Sequence, residues 1–253
     1  MTLSGVLTSH RAITATGVAL AVLAAWLALA AVHATTGIAL ESIAALCAQI
    51  GGAAGLWLYP SVLAMWLLMA VAMMLPTAAP TIDFYVRLSR RMEHGRAVRI
   101  VLFVAGYLAA WGGFAALAAA AQIAVRAVPV DLVAPALAAG AVLMLAGAYQ
   151  LSALKQSCLD LCRNPMLFFM SRWRDSPGGT LRMGLDHGLV CLGCCWALMG
   201  LMFLGGTMNL VWMALLGLAM LAEKLLPAAP VWGRAAGGLM IALGLVTMGL
   251  ELT

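Results

Sequence analysis

Residues 57–75 read WLYPSVLAMWLLMAVAMML, 19 consecutive residues without a charged side chain. A helix of that length covers about 29 Å at about 1.5 Å per residue, close to the hydrocarbon thickness of a bilayer. It is apolar on every face, which a helix lying on the surface of a soluble domain is not. The rest of the chain has the same character. Of its 253 residues 65% are hydrophobic and 9% charged, with mean hydropathy +1.05, whereas soluble domains carry about 45–50% apolar and about 25% charged residues. A water-soluble globule is thereby excluded. The lack of a Gly-X-Y period, a long polar tract or a charge-rich tail excludes collagenous and disordered chains as well.

On the N-terminal side of this stretch, residues 13–32 follow Arg11 and form a run long enough to span. The run exceeds a typical signal-peptide core and reads as a retained helix, although Val32-His33-Ala34 imitates a cleavage site. On the C-terminal side, Pro76 and Pro80 are expected to interrupt the helix after Leu75. Further apolar runs occupy residues 100–121, 132–151, 183–204, 209–225 and 235–250. The pattern predicts an all-α, polytopic transmembrane helix bundle of about seven spans, or six if the last run lies on the surface. A single integral membrane domain then takes up residues 1–253.

Basic residues set the orientation. Arg87, Arg90, Arg91, Arg96 and Arg99 crowd one short loop, and Lys155, Arg163, Arg172, Arg174 and Arg182 lie in the longest polar interval, 152–182. Arg11, Lys224 and Arg234 complete a set that contains every Lys and Arg except Arg126, which shares its loop with Pro129 and Asp131. By the positive-inside rule these residues mark the cytoplasmic face of a bacterial inner membrane, with the N-terminus in the cytoplasm, and the loop carrying Glu41 faces outward. The net charge of +5 thus reports topology, and no nucleic-acid partner is expected.

Chemistry concentrates in residues 186–195, DHGLVCLGCC. On a helix with His187 at 0°, Cys191 falls at about 40°, Cys194 at about 340° and Cys195 at about 80°, so all four share a face. The axial rise from His187 to Cys195 is about 12 Å, too long for one ion to use every group, but subsets separated by one turn can share one. A second pair, Cys158 and Cys162, stands four residues apart in KQSCLDLCR, 155–163. Both groups lie near the same membrane boundary and could meet. Thiolates with one imidazole suit soft or borderline ions, copper more than zinc, and not hard cations that seek several carboxylates. Packing alone is the plain reading of Cys47. It fits five clustered cysteines less well, because a histidine and an aspartate at a membrane edge are costly. The spacing matches no common zinc-finger pattern. Met65, Met69 and Met73 repeat every four residues and suit core filling or Cu(I). Asp83, Glu223 and Lys224 are edge or intramembrane charges that need partners, although snorkelling also accounts for Lys224. No phosphate loop, nucleophile elbow or HExxH occurs, so a hydrolytic or kinase activity has no residues to carry it.

MLPTAAP (74–80), CLDLCRNP (158–165) and RMGLDHGLVCLGCCW (182–196), with MNLVWM (208–213) and Glu223-Lys224, form a combination that resembles a bacterial family of uncharacterised, predicted metal-binding integral membrane proteins. The resemblance runs from about 56 to 226 and implies a metal-binding membrane protein. The expected function is soft-metal handling at the cytoplasmic side through Cys158, Cys162, His187, Cys191, Cys194 and Cys195, with Asp186 and Arg182 in support. Expected partners are the lipid bilayer, the metal ion and a metal-carrying or complex-forming protein. Two alternatives stand beside it: a membrane thiol-disulfide oxidoreductase, which lacks the usual CXXC spacing, and a structural subunit of a membrane complex.

Overall fold

A computed structural model describes residues 3–36, 54–89, 95–127, 135–205, 209–226 and 229–251. Among these the chain is helical, without a strand: α1 (Leu3–Thr36), α2 (Ala54–Leu88), α3 (Arg96–Ala127), α4 (Pro135–Gln150), α5 (Ala153–Arg163), α6 (Pro165–Arg172), α7 (Pro177–Gly200), α8 (Met202–Gly205), α9 (Leu210–Leu225) and α10 (Ala229–Glu251). Glu41, Cys47, Arg90, Arg91, Pro129 and Asp131 lie outside the described residues. Among the described residues five segments are long and apolar enough to cross a membrane: Ala12–His33, Leu58–Leu88, Arg96–Val125, Pro177–Gly205 and Val231–Glu251. Ala136–Gln150 and Ala153–Arg163, bent by 60°, make a sixth if taken as one span. The α9 run, expected to span, has 16 residues, which is about 24 Å against a core of about 30 Å.

The described chain groups into two compact units. The first comprises Met1–Ala120 and Asn164–Leu189. Here α2 corrects the expectation of a break at Pro76, because the helix runs through Pro60, Pro76 and Pro80 to Leu88. A proline at position 76 removes the N–H that the Ala72 carbonyl would accept. That carbonyl instead accepts the indole N–H of Trp26 on α1, at 3.2 Å, an instance of a neighbouring helix satisfying the freed group. Helices α3 and α7 meet backbone to backbone. A Cβ on Gly106 would collide with the Leu181 carbonyl, and one on Gly184 with the Phe103 carbonyl, so glycine sets how closely these helices approach. Tyr85 stacks on Phe103 and Phe169 with ring centroids 4.9 and 5.6 Å apart, which anchors α6 beneath α2 and α3.

The second unit comprises Ala121–Arg163 and Val190–Thr253. Its antiparallel pair α4 and α10 is matched glycine to glycine. A Cβ on Gly147 would lie 2.6 Å from the Gly237 carbonyl oxygen, and one on Gly244 would lie 2.7 Å from that of Gly140. Replacing Gly147 by valine is expected to push the helices apart and cost about 1–3 kcal/mol, measured as a lower unfolding midpoint in detergent. After Gln150 the chain turns: the Ser152 N–H donates to the Tyr149 carbonyl at 2.9 Å. The Ser152 Oγ accepts the Lys155 N–H at 3.2 Å, capping α5 as an N-cap serine does. Asn209 caps α9 in the same way through the Trp212 N–H at 3.0 Å. At the other end of α9, Arg163 donates to the Leu226 carbonyl at 2.8 Å. This interaction fixes the end of α5 to the end of α9.

Candidate metal centre

The Sγ atoms of Cys162, Cys191 and Cys194 all lie within 4.8 Å of one another. Cys191 and Cys194 are one turn apart on α7, and Cys162 arrives from the last turn of α5. The Cys162 and Cys194 sulfurs are 3.8 Å apart. The Cys194 and Cys195 thiols both donate to the Cys191 carbonyl, at 3.0 and 2.9 Å. All three α7 cysteines are buried, while Cys162 is half-buried. Within this sulfur-rich turn the Cys191 carbonyl therefore receives two thiol donors.

Charges surround the sulfurs. Lys224, in the last turn of α9, donates from Nζ to the Cys191 Sγ at 2.9 Å, and only 7% of its surface is exposed. Its neighbour Glu223 points to α5, where it accepts from Lys155 Nζ at 2.7 Å and also from the Gln150 side-chain amide. Lys155 is fully buried. Consecutive helix residues point about 100° apart, so Glu223 reaches α4 and α5 while Lys224 reaches α7. On α5, Lys155 and Cys162 stand seven residues apart and hence on one face.

Of the residues named from sequence, Cys158, Cys162, Cys191, Cys194 and Cys195 all fall in the second unit, and three of them form the sulfur triad. Cys158 is one turn before Cys162 and packs on the α7 backbone, where a Cβ on Gly193 would meet its Sγ at 2.7 Å. The Gly193 carbonyl accepts the Tyr149 hydroxyl. Cys195 borders the triad through the shared Cys191 carbonyl. His187 lies in the first-unit part of α7, its ring 5.0 Å from Phe168, 5.7 Å from Tyr107 and 6.1 Å from Phe103. Asp186 faces Arg172 at 3.6 Å. Met69 and Met73 are buried in the first unit, as core filling requires. The sequence reading missed Lys224 as a partner of sulfur and Lys155 as a buried charge. A lysine and a glutamate side by side in the last turn of an apolar helix were the only local sign.

The donor chemistry can be tested against an ion. With metal–sulfur bonds of about 2.3 Å, three sulfurs arranged trigonally around one ion lie about 4.0 Å apart, a spacing that the triad meets with small side-chain adjustments. An all-thiol set, two of its three members buried and without a carboxylate donor, suits a soft ion such as Cu(I). No curated protein and no solved structure matches the chain. A family model described as copper chaperone, PpoB2, matches residues 63–247, a range that includes all five clustered thiols and Lys224. The chain, matched over most of its length, belongs to the PpoB2 copper chaperone family.

Proposed function

We propose that this protein handles Cu(I) in a bacterial inner membrane, holding the ion between Cys162, Cys191 and Cys194 and passing it on by thiol exchange. The observation that carries this reading is the sulfur triad, three Sγ atoms within 4.8 Å of one another. Support for the membrane comes from large apolar side chains turned outward on several helices, including Leu117, 73% exposed, and Val211, 71% exposed. Faces of that kind are costly in water and at home in lipid. The positive-inside rule applied to the basic loops supports a cytoplasmic N-terminus and a cytoplasmic α5–α6 segment. Cys158, half-buried and one turn from Cys162, is the thiol that first accepts the ion from a soluble carrier. Cys162 draws it to the α7 pair, and Cys195 offers the next exchange position. His187 stands outside the holding set.

The test uses the full chain, reduced and purified in detergent, and loaded with Cu(I) under anaerobic conditions. About one copper per chain is expected, with X-ray absorption showing sulfur neighbours at about 2.3 Å. The reading falls if the wild type and a Cys162→Ala, Cys191→Ala, Cys194→Ala variant retain the same negligible copper.

A further inference from the structure

We infer that Lys224 sets the charge selectivity of the sulfur triad, favouring a monovalent soft ion over a divalent one; this inference rests on the copper reading above. Lys224 Nζ is 2.9 Å from the Cys191 Sγ, so an ion bound to that sulfur at about 2.3 Å lies within about 5 Å of the ammonium. That contact is buried, with 7% of the Lys224 surface exposed.

Thiolates attract both the lysine and the metal, and that attraction is common to Cu(I) and Zn(II). What differs is the repulsion between the ammonium and the ion. Coulomb energy scales with the product of the charges, so a divalent ion in the same place is repelled twice as strongly as a monovalent one. Burial removes the water that would screen the difference. Net charge leads to the same preference. Three thiolates with Cu(I) carry −2, and the ammonium reduces this to −1. With Zn(II) they carry −1, which the ammonium brings to zero. The cost of burying charge grows with its square, so the ammonium relieves the Cu(I) site more than the Zn(II) site.

The experiment compares Cu(I) and Zn(II) dissociation constants of the full chain in detergent, each ion measured by competition with a chromophoric chelator, and reads their ratio. Lys224→Met is expected to move the ratio toward Zn(II) at least tenfold, whereas Lys224→Arg keeps it within threefold of wild type. The double variant Lys155→Met, Glu223→Gln disturbs the same helix end without changing net charge, and should also stay within threefold. If Lys224→Met fails to fold, Lys224→Gln makes the same comparison with a polar side chain. An unmoved ratio on loss of the charge, or an equal shift in the charge-neutral double variant, overturns the inference. A wild-type chain that binds neither ion overturns the copper reading itself, whereas Cu(I) binding with an unmoved ratio overturns only the role of Lys224.

Discussion

Cys191→Ala is expected to weaken Cu(I) binding by more than about a hundredfold, measured by chelator competition on the full chain. Loss of a group that only orients a ligand costs about 10–100-fold in metal affinity, and Cys191 belongs to the triad of donors itself. The substitution leaves the backbone carbonyl that Cys194 and Cys195 bond to, so the α7 turn keeps its shape while one sulfur disappears. Cys158→Ala is the matched comparison. Its sulfur sits against Gly193 and outside the triad, so the expected loss of affinity is under about tenfold, and the main effect falls on the rate of acceptance from a carrier. Equal losses for the two variants would remove the three-sulfur assignment.

Lys155→Met is expected to destabilise the protein by about 3–5 kcal/mol, the usual consequence of deleting one member of a buried ion pair. Lys155 is fully buried and Glu223 is 7% exposed, so the substitution leaves a carboxylate in a dry interior with the Gln150 amide as its remaining side-chain donor in the pair. Adding Glu223→Gln removes the orphaned charge, and the double variant is expected to recover most of the loss. Unfolding in detergent measures both. A single-variant cost below about 1 kcal/mol would show that water reaches the pair.

Helix positions were largely legible because a spanning run announces itself by length and composition. Where the reading went wrong at Pro76, the reason lies outside local sequence. The carbonyl that proline orphans is satisfied by Trp26, 46 residues earlier, and no pattern within α2 reports that. The interval 152–182 reads as a polar stretch between spans, and it contains two complete helices, because Ser152 caps the first and Pro165 opens the second at its first turn. In the site, the i, i+3 spacing of Cys191 and Cys194 points directly to two of the three sulfurs. Two thiols on α5 were equally good candidates to complete it. Which one reaches the α7 sulfurs depends on the angle at which α5 leaves the bend after Gln150, a tertiary quantity. Lys155 looked like one more basic loop residue, since charge counting cannot distinguish a lysine in water from one inside.

The 60° elbow between α4 and α5 divides the three sulfurs unequally. Two of them ride on a single continuous rod and keep their separation whatever that rod does. The third is carried on a short arm beyond the bend at Leu151–Ser152, and the ties from Lys155 and Arg163 to α9 hold that arm in place, so two of the three sulfur–sulfur distances depend on α9 and the remaining one does not.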